Sequence, residues 1–158
     1  MTQNSAHNSF WKTTDAMIVI IFSAGFILEY FVIDFGNLPF TLPLRLSLGG
    51  ILIFVGLLLI ILAKIEFSKA QQPSMPGKPT TRIVNTGIFK YSRNPLYLGI
   101  VITVAGVGIT FDILWFIILD IPLGMLFHWT LIMPEEQYLL EKFGNDYELY
   151  IKNTRRWL

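Results

Sequence analysis

The sequence contains no cysteine among its 158 residues, which excludes a disulfide, a thiolate nucleophile and a cysteine-based metal site. Only two histidines are present, His7 and His128, and two are too few to hold a metal ion unaided. Charge is scarce and balanced, since twelve basic and eleven acidic side chains give a formal net charge of +1. Without a run of like charges, the chain is not predicted to bind nucleic acid.

Apolar residues are in excess: 53% of the chain is hydrophobic, 15% is charged and the mean hydropathy is +0.56. A soluble domain of this length cannot bury so much apolar surface in one core. We therefore expect an all-α integral membrane protein that forms a single domain over residues 1–158. Its predicted transmembrane helices are the apolar stretches 16–33, 46–63, 96–111 and 113–133.

The segments between and after these spans are polar. Residues 64–95 form a predicted cytoplasmic linker, which contains Pro73, Pro76, Gly77 and Pro79. Only Asp112 separates the last two spans, so we expect a tight helical hairpin with its turn at residues 108–112. From Pro134 onward, apolar side chains recur at helical spacing, which predicts a cytoplasmic amphipathic helix within 134–158.

The distribution of positive charge predicts the orientation. In a four-span arrangement, eleven of the twelve lysines and arginines fall on one side, and only Arg45 falls on the other. The positive-inside rule then places both termini and the 64–95 linker on the cytoplasmic side of the membrane. We expect this membrane to be a bacterial inner membrane. Because the first span lacks a small-residue cleavage site, we expect it to be retained.

The stretch "KYSRNPLYLGI", residues 90–100, concentrates polar groups where the third span begins. Pro95 biases Asn94 toward an extended backbone and is tolerated at a first helical position, so we expect a fixed corner. This corner lies at the cytoplasmic mouth of the span, where a water-soluble reagent meets a membrane-dissolved one. Taken alone, Arg93 is typical of an anchor to lipid headgroups, and Tyr97 of an interfacial aromatic residue.

Two blocks carry a family resemblance: "NTGIFKYSRNPLYLG" and, some forty residues later, "PEEQYLLEKFGNDYELYIKNTRRWL". Together they cover roughly residues 67–158, and they resemble the isoprenylcysteine carboxyl methyltransferase and phospholipid methyltransferase group, in its bacterial form. The residues that match the family pattern are Gly87, Phe89, Arg93, Asn94, Pro95, Tyr97, Gly99, Glu135, Glu136, Phe143, Gly144, Tyr147 and Tyr150.

The resemblance implies an integral membrane methyltransferase that uses S-adenosylmethionine, without a Rossmann domain and without a metal. The acceptor would be lipophilic, an isoprenoid, a lipid or a hydrophobic thiol or acid, methylated at the cytoplasmic face. The cofactor would bind between the last hairpin and the C-terminal helix. The implied cofactor-binding residues are Gly87, Arg93, Asn94, Pro95, Tyr97, Gly99, Glu135, Glu136 and Tyr147, and the candidate catalytic residues are Glu135, Glu136 and His128.

The chain departs from the family pattern at two places. Asn94 stands where the family has histidine, so we assign it to positioning by hydrogen bonds rather than to proton transfer. The segment "FHWTLIMPEE" has no arginine before the glutamate pair, whereas the animal prenylcysteine enzymes have one that is associated with the substrate carboxylate. Prenylcysteine is therefore not favoured as the acceptor.

Several residues have a structural interpretation beside the functional one. Glu135 and Glu136 follow Pro134 at a predicted helix start. There they would either be stabilised by the helix dipole or pair with the cofactor's ammonium group. The small residues Gly99, Thr103 and Gly106 share one stripe, which indicates close helix packing first and cofactor access second.

Ionisable groups within the spans are functional candidates by default. Asp120 precedes Pro122 and fits a kinked helix as well as a substrate contact. Glu29 is expected near the outer interface. His128 is either a core histidine or a general base.

Two other functions remain open from the sequence. One is a non-catalytic, lipid-binding membrane protein that retains the fold. The other is an NADPH enzyme of the steroid-reductase type, although beyond Arg93, Arg155 and Arg156 the chain lacks a basic cluster suited to phosphates.

Overall fold

The computed structural model describes residues 14–32, 36, 38–71 and 80–158, and over these residues every regular element is helical, which confirms the predicted all-α class. The elements in chain order are α1 (Thr14–Phe31), α2 (Leu42–Lys69), a short 3₁₀ helix (Gly87–Lys90), α3 (Pro95–Phe111), α4 (Leu114–Phe127), a π-helical turn (His128–Ile132), α5 (Met133–Phe143) and α6 (Asn145–Asn153).

Within the described ranges, three helical stretches are long and apolar enough to cross a membrane: α1, α2 and the continuous helix Leu114–Phe143. Helix α3 is also apolar but shorter, with 17 residues. The 28 residues of α2 span about 42 Å, more than the hydrocarbon core of a bilayer. This helix therefore continues into the region predicted as linker, whose Pro73, Pro76, Gly77 and Pro79 lie outside the described residues, as does Ile33 at the end of the first predicted span.

Helices α2 and α3 approach each other through small residues that recur every seven positions. A Cβ atom added to Gly56 would lie 2.6 Å from the carbonyl oxygen of Gly99, and one added to Gly106 would lie 2.9 Å from that of Gly49. At this separation only glycine fits between the two backbones. The interpretation of the Gly99, Thr103 and Gly106 stripe as a packing surface is confirmed.

The turn between α3 and α4 lies at Asp112, as predicted. Asp112 adopts the left-handed conformation (φ 62°) and ends α3. Its carboxylate accepts a hydrogen bond from the Leu38 amide at 2.8 Å and forms an ion pair with Arg45. The turn therefore joins the end of α3 to the start of α2 at the end of the bundle opposite to Arg93.

The core lies between α1, α3 and α4, where Met17, Ile21, Val104, Leu123 and Phe127 are buried. Phe116 of α4 is fully buried, and its ring centroid lies 4.8 Å from that of Phe22 and 5.2 Å from that of Phe26 on α1. These contacts hold α1 and α4 antiparallel, which brings Thr14 to the same end of the bundle as the start of α3.

The predicted helix start at Pro134 is wrong. Helix α4 passes into α5 without a break, through a π-helical turn in which the Met133 amide donates to the His128 carbonyl, five residues earlier. Pro134 lacks an N–H and its ring clashes with the carbonyl four residues before it in a regular helix, and the wider turn relieves that clash. The predicted amphipathic segment 134–158 is accordingly divided into the end of this helix and α6, which are separated by Gly144 (φ 51°).

Candidate functional site

The site is organised around the corner at which the chain enters α3. Pro95 occupies the first helical turn, and Asn94 before it has a non-helical backbone (φ −130°, ψ 48°). Ser92, Asn94 and Pro95 are all buried, although they lie at the end of a bundle of membrane-crossing helices. The corner is therefore covered by another part of the chain.

The covering element is the C-terminal segment, residues 154–158. The Arg93 amide donates to the Arg155 carbonyl at 2.9 Å, and the Asn94 side-chain amide donates to the Arg156 carbonyl at 3.0 Å. Ser92 adds a longer hydrogen bond from its hydroxyl to the same Arg156 carbonyl, at 3.4 Å. The Asn94 side chain is thus hydrogen-bonded to the C-terminal segment, and its positioning of a cofactor stays a prediction.

The Arg93 side chain lies inside the protein. Its guanidinium donates to the Thr154 carbonyl at 2.6 Å and the Ile151 carbonyl at 3.2 Å, and through Nε and Nη2 to Glu136 Oε1 at 3.1 and 2.9 Å. Because the side chain is only 7% exposed, the interpretation of Arg93 as an anchor to lipid headgroups is wrong.

Glu136 is held by a second arginine as well. Arg156 donates through Nε to both carboxylate oxygens at 3.1 Å and through Nη2 to Oε2 at 2.7 Å. These hydrogen bonds raise the pKa of Arg156 above its already high ordinary value, so it remains a cation at any physiological pH. With two arginines on one carboxylate, the charge of Glu136 is fully engaged within the protein.

Glu135 faces another direction. Its carboxylate interacts with the hydroxyl of Tyr97, whose buried ring packs on Phe127 with the centroids 5.4 Å apart. No lysine or arginine within the described ranges pairs with Glu135. The two adjacent carboxylates therefore differ, since one is neutralised by arginines and the other faces a phenol.

Two tyrosines of α6 complete this end of the bundle. Tyr147 is 2% exposed, and burial together with the nearby Glu136 carboxylate raises the pKa of its phenol well above the ordinary value. Burial likewise raises the pKa of Tyr150, whose hydroxyl donates to the Phe89 carbonyl at 2.7 Å. Both phenols therefore stay protonated, and that of Tyr150 acts as a hydrogen-bond donor.

Two glycines of the predicted set lie away from these carboxylates. Gly87 (φ 55°) packs on the Glu66 side chain, which accepts hydrogen bonds from Thr86 at 2.6 Å and Lys69 at 2.7 Å. Gly99 packs on α2. The structure gives both glycines a packing role beside the corner.

The remaining ionisable candidates are spread along the bundle. His128 begins the π-helical turn, and its ring lies edge-on to Trp129 with the centroids 5.9 Å apart. Asp120 is buried in α4 and Glu29 is half-buried in α1, and each has one carboxylate oxygen without a hydrogen-bond partner among the described residues. None of the three belongs to the Arg93–Glu136–Arg156 cluster.

A groove of about 740 Å³ lies on the outer side of the C-terminal segment. Its walls come from residues 81–85 with Lys90 on one side, and from α6 with Thr154 on the other. This volume lies within the range of small-molecule sites, and the lining combines polar side chains with the apolar Ile83, Phe143 and Leu149.

The sequence did not indicate three of the residues that build the site: Ser92, Thr154 and Arg156. Thr154 contributes its backbone carbonyl, and Arg156 contributes both its carbonyl and its side chain. A backbone acceptor has no sequence signature. The adjacent arginines at positions 155 and 156 are the sequence feature that points to this segment, and from the sequence they indicate only positive charge.

Comparison with known proteins supplies the family. A model of the phospholipid methyltransferase family matches residues 44–146, which is more than half of the 158-residue chain. No curated protein and no solved structure matches significantly. The matched region runs from the start of α2 through both glutamates into α6, and so includes the corner, Tyr97 and the glutamate pair, whereas residues 151–156, which hold the corner, lie beyond it. The chain is an integral membrane protein that belongs to the phospholipid methyltransferase family.

Proposed function

We propose that this protein transfers a methyl group from S-adenosylmethionine to a lipophilic acceptor at the cytoplasmic face of the membrane. The family supports methyl transfer in general. The observation that carries the proposal is the division between two neighbouring carboxylates: Glu136 is engaged by Arg93 and Arg156, whereas Glu135 faces Tyr97 without a cationic partner in the described chain.

In this proposal, Glu135 binds the ammonium group of the cofactor. A carboxylate at the end of an apolar bundle is costly unless it gains a cation, and the cofactor supplies one. The Tyr97 hydroxyl orients the carboxylate from the α3 side. Arg93 and Glu136 hold the corner rigid, so that Glu135 and Tyr97 keep their spacing when no ligand is bound.

The reaction would be a direct displacement at the methyl carbon. The nucleophile of the acceptor forms a bond to that carbon while the carbon–sulfur bond breaks, and the electron pair stays on sulfur. The chain's own contribution is alignment of the two reactants and exclusion of water. A carboxylate or thiolate acceptor would react as an anion, whereas an amine would first lose a proton.

The acceptor class follows from the surroundings of the site. The outer surface of α2 exposes large apolar side chains along the bundle, such as Ile51, Phe54 and Ile61. A molecule dissolved in the bilayer can reach the corner along such a surface, whereas the cofactor comes from the aqueous side. The proposed acceptor is therefore an isoprenoid, a lipid or a hydrophobic thiol or acid.

Calorimetry of the detergent-purified protein against S-adenosylhomocysteine tests the proposal. We expect wild type to bind, and Glu135→Gln to bind about ten- to hundredfold more weakly, because a charge-assisted hydrogen bond contributes about 1.5–3 kcal/mol. Tyr97→Phe should weaken binding less. Glu141→Gln is the matched control, since Glu141 is exposed on the same helix and contacts only Gln137 among the described side chains.

The same titration with NADPH tests the reductase alternative. Binding of NADPH without binding of S-adenosylhomocysteine would overturn the proposal. Transfer of a radiolabelled methyl group to membrane extract then separates an enzyme from a lipid-binding protein that only retains the fold.

A further inference from the structure

The C-terminal segment is hydrogen-bonded to the α3 corner, and the proposed function does not account for these contacts. The Ser92 amide donates to the Ile88 carbonyl of the preceding 3₁₀ helix, whereas the amide and side chain of Arg93 and the side chain of Asn94 donate to this segment, the end of α6 and Glu136. Trp157 packs against the core of the bundle and fixes the far end of the segment. The last residues of the chain are thus part of the wall of the candidate site.

Within this segment, Arg156 contacts both sides of the site. Its carbonyl accepts from Asn94 at the start of α3, while its guanidinium forms a bidentate pair with Glu136 on α5. Arg156 therefore connects the corner to the helix that carries the glutamate pair, in addition to the direct pair of Arg93 with Glu136. Glu135 directly precedes Glu136 on that helix. If loss of the Arg156–Glu136 ion pair lets α5 rotate, the rotation also changes the direction of the Glu135 side chain.

We propose that Arg156 is a positioning residue of the methyl-transfer site, acting through Glu136 on the direction of Glu135. The inference rests on the proposed function, because its readout is cofactor affinity. Arg156 differs from Arg93 in exposure: its side chain is 39% exposed against 7%, so its substitution leaves no large buried cavity. The effect of removing it is then separable from general loss of the fold.

Affinity for S-adenosylhomocysteine in a set of variants tests this role. We expect Arg156→Ala to lower the affinity at least tenfold. Arg156→Lys should restore part of it, because an ammonium group keeps the charge but cannot form two parallel hydrogen bonds. Lys152→Ala is the control: it removes one positive charge from the exposed face of α6 and should leave the affinity unchanged.

A double-mutant cycle separates positioning from a structural contribution. If Arg156 acts through Glu136, then Arg156→Ala and Glu136→Gln together should weaken binding no more than the stronger single change. Additive losses, or an unchanged affinity in Arg156→Ala, would overturn the proposal.

Hydrogen exchange distinguishes failure of this inference from failure of the proposed function. Arg156→Ala should speed exchange of the Arg93 amide, which donates to the Arg155 carbonyl, without speeding exchange within α2 and α3. If wild type does not bind S-adenosylhomocysteine, the proposed function and this role both fall, whatever the exchange shows. If wild type binds and the Arg93 amide is released with no loss of affinity, only the positioning role falls.

Discussion

Asn94 shows how one side chain replaces the histidine of the family pattern. Its side-chain amide donates to the Arg156 carbonyl, and the residue is only 8% exposed. The geometry requires a donor at this position and makes no use of a base. Histidine also carries an N–H donor, so either residue can hold the C-terminal segment against the corner.

This contact predicts opposite outcomes for two substitutions of Asn94. Asn94→Asp places carboxylate oxygens against the Arg156 carbonyl and should destabilise the protein by about 1–3 kcal/mol, because a buried acceptor loses its donor. Asn94→His keeps a donor and should retain both the melting temperature and S-adenosylhomocysteine affinity. Lys90→Ala is the control, since Lys90 is exposed. Equal behaviour of the Asp and His variants in thermal unfolding would contradict the assigned hydrogen bond.

The sequence predicted the identity of several site residues but not their connections. Arg93, Asn94, Tyr97 and the glutamate pair were singled out because they match the pattern of the methyltransferase family that the chain resembles. The contacts that organise them join residues 43 to 62 positions apart, from Arg93 to Glu136 and from Asn94 to Arg156. Such pairings depend on how the C-terminal segment folds back, which no local pattern encodes.

At the scale of elements, α2 and α3 pack with their backbones close together at four glycines. Gly49 and Gly56 on α2 face Gly106 and Gly99 on α3, respectively. A Cβ atom added to any of these four glycines would lie within 3 Å of a backbone atom of the facing helix. Gly50 lies one position from Gly49 but points away from α3, with nothing within 4 Å. Neighbouring glycines of the same helix therefore have different consequences when replaced.

Gly56→Ala should destabilise the protein, whereas Gly50→Ala should not. The alanine Cβ at position 56 would clash with Thr103 Oγ1 and lie 2.6 Å from the Gly99 carbonyl oxygen, so the helices would have to separate. Overpacking of this kind costs about 1–3 kcal/mol. Thermal unfolding in detergent measures both variants, and an equal change in melting temperature would contradict the close packing of α2 on α3.

At the scale of the whole molecule, the two ends of the bundle differ in their charged groups. One end holds the Arg45–Asp112 pair, and the other holds Arg93, Glu136 and Arg156. The excess of lysine and arginine at the second end predicts that it faces the cytoplasm. The hydropathy pattern predicted apolar helices, because burial in lipid depends on composition; among the described residues α1, α2 and the helix Leu114–Phe143 are long and apolar enough to cross a membrane, and the fourth span stays a prediction.

The absence of cysteine gives a direct test of orientation. Single cysteines at Thr41, before α2, and at Asn145, at the start of α6, are the only thiols in their variants, and both positions are exposed. In intact bacterial cells, a membrane-impermeant maleimide should label the Thr41→Cys variant and spare the Asn145→Cys variant. Tags before Met1 and after Leu158 should likewise be protected. Labelling of Asn145→Cys from outside would overturn the four-span orientation.

The π-helical turn at His128–Ile132 accommodates one more residue than a regular helix would over the same rotation. Loss of a single codon within it, combined with replacement of Pro134 by a residue that a regular helix accepts, would therefore leave α5 pointing in nearly the same direction, with Glu135 and Glu136 still in place. Substitutions that make the turn regular without shortening it would instead rotate the pair by about 100°. We expect related chains to vary by one residue here, so a motif search with a fixed spacing between the corner and the glutamates would miss some of them.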